Sequence, residues 1–204
     1  MRDTILEVLN IIYDHGYEAY VVGGYVRDML LNIPSFDVDI NTNATPMELK
    51  NIFNDIKIVN ANYGAATLYY KKEKFEITTY RKEQEYLDNR HPSSITYVND
   101  LKTDLNRRDF KINCLCIDKD GLIIDLLNGK KDLEERLVDT IDDSMESFQN
   151  DALRILRAIR FASTLDFKLS KRVEDAIIAK KHLLLNLSNE RKKSKKNNGS
   201  FISK

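Results

Sequence analysis

What this sequence has little of narrows its class before any motif is read. It has two cysteines in 204 residues, Cys114 and Cys116, set two apart in an apolar run. That excludes a disulfide framework, and two thiols pointing the same way from a strand cannot close a metal site unaided, so they read as small core residues. No apolar run reaches membrane-spanning length, and the first residues lack the charged-then-apolar pattern of a secretory leader. The expected compartment is therefore cytoplasmic, with no membrane partner. Net charge is also missing: 32 basic and 32 acidic residues balance. Any contact with nucleic acid must then come from local clusters, of which Arg191-Lys192-Lys193-Ser194-Lys195-Lys196 is one. The length suits one domain of good size plus a small helical extension.

Glycine and proline are scarce as well, at 7 and 3, and two of the glycines stand together at Gly23-Gly24. They stop the apolar run 19–22 and open a segment where the backbone can take angles closed to other residues and let another group approach. Val26, Met29, Leu30 and Ile33 then recur at helical spacing, with Arg27 and Asp28 in the first turns and Pro34 ending the run. The period next becomes two: Phe36, Val38 and Ile40 are expected to face a core, and Asp37 and Asp39 to share the other face of the strand. Carboxylates two apart on one strand lie roughly 6–7 Å apart. Two solvated acids on a half-exposed strand would look the same, but a hard divalent cation is the usual reason for holding like charges so close. Gly24 and Arg27 would place backbone donors and a cation beside the acids, as a triphosphate with its metal needs.

Elsewhere the pattern is ordinary. Residues 3–14 form an apolar stripe through Ile5, Val8, Leu9, Ile12 and Tyr13, closed by His15-Gly16. Thr45 and Pro46 are cap and first-turn residues of a helix through Phe53, and 60–64 is turn-like. Runs 66–70 and 75–80 alternate as strands around a charged turn at 71–74, so Glu76 points away from the core, as a third acid or a solvated one. Residues 81–92, RKEQEYLDNRHP, read as a mobile exposed loop. Arg107-Arg108 stand between a polar stretch and the apolar run 112–117, where paired guanidinium groups either grip phosphate or are solvated. A strand at 123–126, a turn at Asn128-Gly129 and a helix at 132–138 follow. In DALRILRAIRF, Arg154, Arg157 and Arg160 step round an arc of about 120° of a helix, opposite Ile155, Leu156, Ile159 and Ala162. Asp151 at its start is either a cap or a ligand group. Ser170 caps a helix through 179, 183–187 begins another apolar element, and 191–204 reads as disordered.

GGYVRD followed by DVD and NTNATP, then RRDFKINCL beside the motif RRDFTINAL, then DALRILRAIRF, resembles the class II tRNA nucleotidyltransferase (CCA-adding) and bacterial poly(A) polymerase family, over residues 17–190. The resemblance implies an α/β (α+β) polymerase-β-like nucleotidyltransferase head with a short mixed sheet at 1–140. A small helical neck would follow at 141–190, then the basic tail at 191–204. It implies Mg²⁺ at Asp37 and Asp39 with Glu76 assisting, Asp109 being the competing third carboxylate. Gly24, Arg27 and Arg108 would hold triphosphate or sugar. Asp151 and Arg154 would read the base, supported by Arg157 and Arg160. The substrates would be CTP and ATP and the 3′ end of tRNA; the rivals are a poly(A) polymerase and a nucleotide-binding remnant without turnover. The 81–92 loop resembles one tied to adding the final A. Departures occur at DTIDDSMESFQND, where Asn150 replaces a common Glu. Family members continue into helical body and tail domains after the Ser188-Asn189-Glu190-Arg191 motif, so this chain reads as a fragment, a frameshifted product or a short form, for which a partner chain could supply the RNA-binding body.

Overall fold

The computed structural model describes residues 2–84, 86, 89 and 92–186. Helix α1 (Asp3–Asp14) buries Ile5, Val8, Leu9 and Ile12, and β1 (Ala19–Val22) leads through Gly23 into α2 (Gly24–Leu30). Next come β2 (Val38–Thr42) and α3 (Pro46–Ile52). A capping box fixes the start of α3: the Thr45 hydroxyl accepts from the Glu48 amide, and the Glu48 carboxylate accepts from the Thr45 amide at 2.7 Å. The chain continues through β3 (Ile56–Asn60), β4 (Ala65–Tyr70), β5 (Glu73–Thr79), β6 (Arg81–Glu83), β7 (Ile95–Tyr97) and α4 (Leu101–Asn106). Strands β8 (Cys116–Ile117) and β9 (Ile123–Ile124) and helix α5 (Gly129–Glu134) complete the first part. Then β10 (Leu137–Val138), α6 (Ser144–Asn150), α7 (Leu153–Leu165), β11 (Lys168–Leu169) and α8 (Lys171–Lys180) follow.

Seven strands form one mixed sheet in the order β3-β4-β5-β2-β1-β8-β9, in which only β2 and β5 run parallel. Each central strand divides its side chains between two cores. Val21, Val38, Ile40, Phe75 and Ile77 join α1, α2 and α3 in the larger one. Val22 turns the other way and packs with Tyr80, Leu101, Leu105, Cys114 and Cys116. Both thiols are buried there, which pushes that of Cys116 up to about 12 and leaves them unreactive core residues, as their spacing suggests. Strands β10 and β11 pair in parallel, separately from the main sheet, and bracket α7. Arg172 of α8 and Lys111 both reach the carboxylate of Asp139, each at 2.7 Å. Among the described residues no helix is long and apolar enough to cross a membrane.

Several expectations need correction. The strand of the two aspartates starts at Val38 and Phe36 is 79% exposed, because pairing to β5 begins at Val38 and to β1 ends at Asp39, so no sheet exists for Phe36 to enter. Helix α2 stops at Leu30, before Pro34, where Asn32 turns left-handed at φ 56° and leaves Ile33 exposed. Residues 81–83 are a strand paired with β7, with Glu83 held by Arg81, while Glu85, Leu87, Asp88, Arg90 and His91 fall outside the described residues. The helix expected at 132–138 is shifted: α5 starts at Gly129, and Leu137-Val138 is drawn into a strand by β11. The 71–74 turn shrinks to Lys71-Lys72, since Glu73 already pairs with Tyr70. On α7 the buried arc runs through Leu153, Ile155, Ala158 and Phe161, and Ile159 is 46% exposed. The arc turns that way because Phe161 packs edge-on against Phe110. Strand β3 and helices α4 and α6 were not expected. The 187–190 stretch and the 191–204 tail lie outside the described residues.

Candidate active site

Cross-strand partners share a sheet face, so Val22, Asp39 and Glu76, aligned in register across β1, β2 and β5, stand on the side away from the larger core. The turn beside them belongs to Gly23. Its φ of +82° is open to glycine and strained for other residues, and a Cβ there would sit 3.5 Å from Oδ2 of Asp39. Burial pushes the Asp39 carboxyl up to about 6; the Arg108 charge opposes the rise, and Glu76 and Asp37 add to it.

A cleft of about 600 Å³ opens at this point, and Gly24, Arg27, Asp39, Arg108, Asp151, Arg154, Arg157 and Arg160 all line it. These residues come from α2, β2, the turn after α4, and the start and length of α7. Arg27 is buried, gives Nη1 to Oδ1 of Asn113 at 2.6 Å and pairs with Asp28 at 2.7 Å. Arg154 gives one nitrogen to Oγ of Ser147 at 2.9 Å and another to the carbonyl of Arg107 at 2.8 Å. Arg157 is clasped by Asp109, whose carboxyl burial would raise but Arg157 holds below the usual range. Three guanidinium groups surround the ring of Phe161: Arg27 at 5.1 Å, Arg157 at 5.3 Å and Arg160 at 4.8 Å. Nε of Arg160 is buried with no hydrogen-bond partner in the described structure, and burial, with the charges of Arg157 and Arg27 adding, lowers its pKa. Three crowded cations of this kind fit a polyanion.

Not every nominated acid reaches the cleft. Asp37 and Glu76 line a neighbouring recess of about 550 Å³ that shares Asp39 with it. Glu76 is exposed, and Lys74 holds its carboxylate at 2.6 Å. Asp109, the competing third carboxylate, does line the cleft with Asp39, where it is paired with Arg157. Among the described residues no three His, Cys, Asp or Glu side chains converge to enclose a metal. Asp37, Asp39 and Glu76 do line that one recess together, and a pair of carboxylates there would leave coordination positions for phosphate oxygens and water. Asp151 stands just before Ala152, the N-cap of α7, and its Oδ1 accepts from the Leu153 amide at 2.9 Å.

The cleft also holds residues that sequence reasoning missed. Arg107 had a signal in its pairing with Arg108. Arg81, Glu83 and Tyr86 belong to the 81–92 segment that the resemblance singled out as a whole and not residue by residue, while Tyr63 and Asn113 had no signal.

Comparison with known proteins places these observations in a wider setting. A model of the Poly A polymerase head domain matches residues 19–139. The chain is 42% identical over 195 residues to the CCA-adding enzyme of Bacillus licheniformis, spanning 94% of this chain and 49% of that protein. A crystal structure of the Bacillus stearothermophilus CCA-adding enzyme in complex with CTP aligns with a TM-score of 0.88 at 36% identity, over 96% of this chain and 48% of that one. The Thermotoga maritima CCA-adding enzyme complexed with tRNA aligns at 0.78 and 26% identity, over 100% of this chain and 49% of that one. The chain spans about half the length of the curated relatives it matches.

Proposed function

The chain belongs to the class II tRNA nucleotidyltransferase and poly(A) polymerase head family, and from that membership we propose that it transfers C and A nucleotides from CTP and ATP to the 3′ end of tRNA. Its head has the polymerase-β-like nucleotidyltransferase fold that its motifs imply. The reading divides the chain into a head at about 1–140, a helical neck at about 141–190 that carries base choice, and a basic tail. What carries it is the convergence of Asp39, Gly24, Arg27, Arg108, Asp151, Arg154, Arg157 and Arg160, scattered along the sequence, on one cleft.

The RNA 3′ hydroxyl attacks the α-phosphorus, and pyrophosphate leaves as the bond to the β-phosphate breaks. Asp37 and Asp39 would hold a hard divalent cation such as Mg²⁺, which lowers the pKa of the attacking hydroxyl and offsets phosphate charge when bound. Support for that fit comes from Asp39 itself, whose carboxyl burial and the neighbouring acids raise to about 6, so a bound cation would offset the repulsion and favour its ionised form. Glu76 adds negative potential behind the pair. Gly24 leaves room for the triphosphate against the backbone. Arg27 and Arg108 bind phosphate and sugar, and the guanidinium cluster around Phe161 offsets the leaving pyrophosphate charge. Asp151 accepts from the exocyclic amino group that C and A share and that U and G do not offer at the same edge. Arg154 donates to the adjacent ring or carbonyl acceptor, and Arg157 and Arg160 support both.

The test is to incubate the chain with tRNA lacking its terminal CCA, labelled CTP or ATP, and Mg²⁺. Incorporation of C followed by A is expected. Extension by A alone, with CTP unused, would make the chain a poly(A) polymerase instead.

A further inference from the structure

Behind the wall of the cleft lies a carboxylate that no step above uses. Asp104, in α4, has no exposed surface. Its Oδ1 accepts from the Arg81 amide at 3.0 Å and from Nε and Nη2 of Arg107 at 2.9 and 2.7 Å. Its Oδ2 accepts from the Asn41 side chain and from Nη2 of Arg108 at 3.4 Å. A buried charge is costly unless every lone pair is met, and here the donors come from three pieces of the site, β2, β6 and the turn after α4. Asn41 lies two residues beyond Asp39 on β2, Arg81 opens β6, and Arg108 lines the cleft. Arg107 is pinned on two sides, by the fork on Asp104 and by Glu83 at 3.3 Å. Its backbone carbonyl then receives Nη2 of Arg154 at 2.8 Å. An unbroken run of hydrogen bonds thus joins the strand of Asp39 to the guanidinium of Arg154, with Asp104 at its centre.

We propose that Asp104 is a positioning residue that, through Arg107, fixes the guanidinium of Arg154 in the cleft and so sets which base is accepted. It rests on the reading of Arg154 as a base contact given above. A purely structural ion network would hold α4 to the sheet and leave base choice alone. The two differ in what a charge-removing, shape-preserving change does: Asp104→Asn turns one acceptor into a donor facing guanidinium nitrogens, releases Arg107, and lets its carbonyl shift under Arg154.

The experiment is equilibrium binding of CTP and of UTP, with Mg²⁺, to the 204-residue chain, as wild type, Arg154→Ala, Asp104→Asn and the double variant. The preference for CTP over UTP should fall about tenfold in each single variant, the lower end of what one base contact is worth. The double variant should be no worse than Arg154→Ala, because both changes act on one contact. A lowered melting temperature in Asp104→Asn with an unchanged preference, or effects that multiply in the double variant, overturns the positioning role alone. If Arg154→Ala keeps the preference, the base-reading assignment falls and Asp104 falls with it. Should Asp104→Asn fail to fold, Arg107→Lys, which keeps a cation on Asp104 but loses the fork, must shift the preference in the same direction; no shift there also overturns the proposal.

Discussion

At the scale of single residues the site is built at the expense of stability. The Asp39 carboxyl is raised to about 6 in the fold, so what it contributes to stability is fully present below the ordinary carboxylate value and is lost as pH rises through 6. Asp39→Asn should therefore stabilise the metal-free chain above pH 6, by on the order of 1 kcal/mol, while abolishing nucleotide addition. Melting curves in the presence of a chelator at pH 4 and pH 8 check this: variant and wild type should nearly coincide at the lower pH and part at the higher. Asp37→Asn should remove activity without that gain, because Asp37 is already exposed. Asp151 separates differently, since beside its proposed base contact its Oδ1 holds the Leu153 amide at the start of α7. Asp151→Ala loses both and should cost about 1 kcal/mol. Asp151→Asn retains an oxygen for the Leu153 amide, so it should melt like wild type yet lose about tenfold of its preference for CTP over UTP. Equal preference in Asp151→Asn and wild type would leave Asp151 an acceptor for the Leu153 amide and no reader of the base.

At the scale of elements, the β4–β5 hairpin shows what strain the fold tolerates. Its two loop residues, Lys71 and Lys72, both have positive φ, 47° and 68°, a turn that favours Asn-Gly. Lys71 recovers an ion pair with Glu7 at 2.6 Å, but that pair is exposed and worth less than the strain at two residues. Replacing Lys71-Lys72 by Asn-Gly should raise stability by roughly 1 kcal/mol, read as a higher melting temperature with CTP binding unchanged. Elements of this size also mark where the sequence was legible. Helices α1, α3 and α8 announce themselves by apolar period and by Thr45 and Ser170 as caps, and β1 by its apolar run against Gly23. Strand β3 has no clean alternation because it is an edge with Ile56 and Ile58 only half-buried, and α4 offers just Leu101 and Leu105 behind its Asp100 cap. The two-residue strands β10 and β11 exist only because each has the other. In the site, the glycines, paired acids and arginine ladder were readable as local patterns. Asp104 was not: one acid in a polar stretch acquires meaning only when Asn41, Arg81 and Arg107 are folded around it.

For the whole molecule, basic and acidic residues balance while a dense cationic cleft sits inside. The isolated chain should then bind CTP or ATP with Mg²⁺ more tightly than it binds tRNA, and its tRNA binding should weaken steeply with salt. Deleting 191–204 should lower only that salt-sensitive part. Titrations of both ligands at two salt concentrations decide it, and tight tRNA binding that survives added salt would contradict the expectation. Beyond charge, the bracket around α7 governs how the neck can move. Strands β10 and β11 zip together the segments on either side of it, and Ser170 donates its amide to the Val138 carbonyl at 3.1 Å. Kinematically α6 and α7 form one loop closed by the zipper, which limits how far α7 can shift along its own axis. Arg154, Arg157 and Arg160 therefore travel together, with one phase angle between them. One extra residue inserted after Arg154 could not be absorbed by slippage; it would swing Arg157 and Arg160 round by about 100° and uncouple base choice from phosphate grip in a single step.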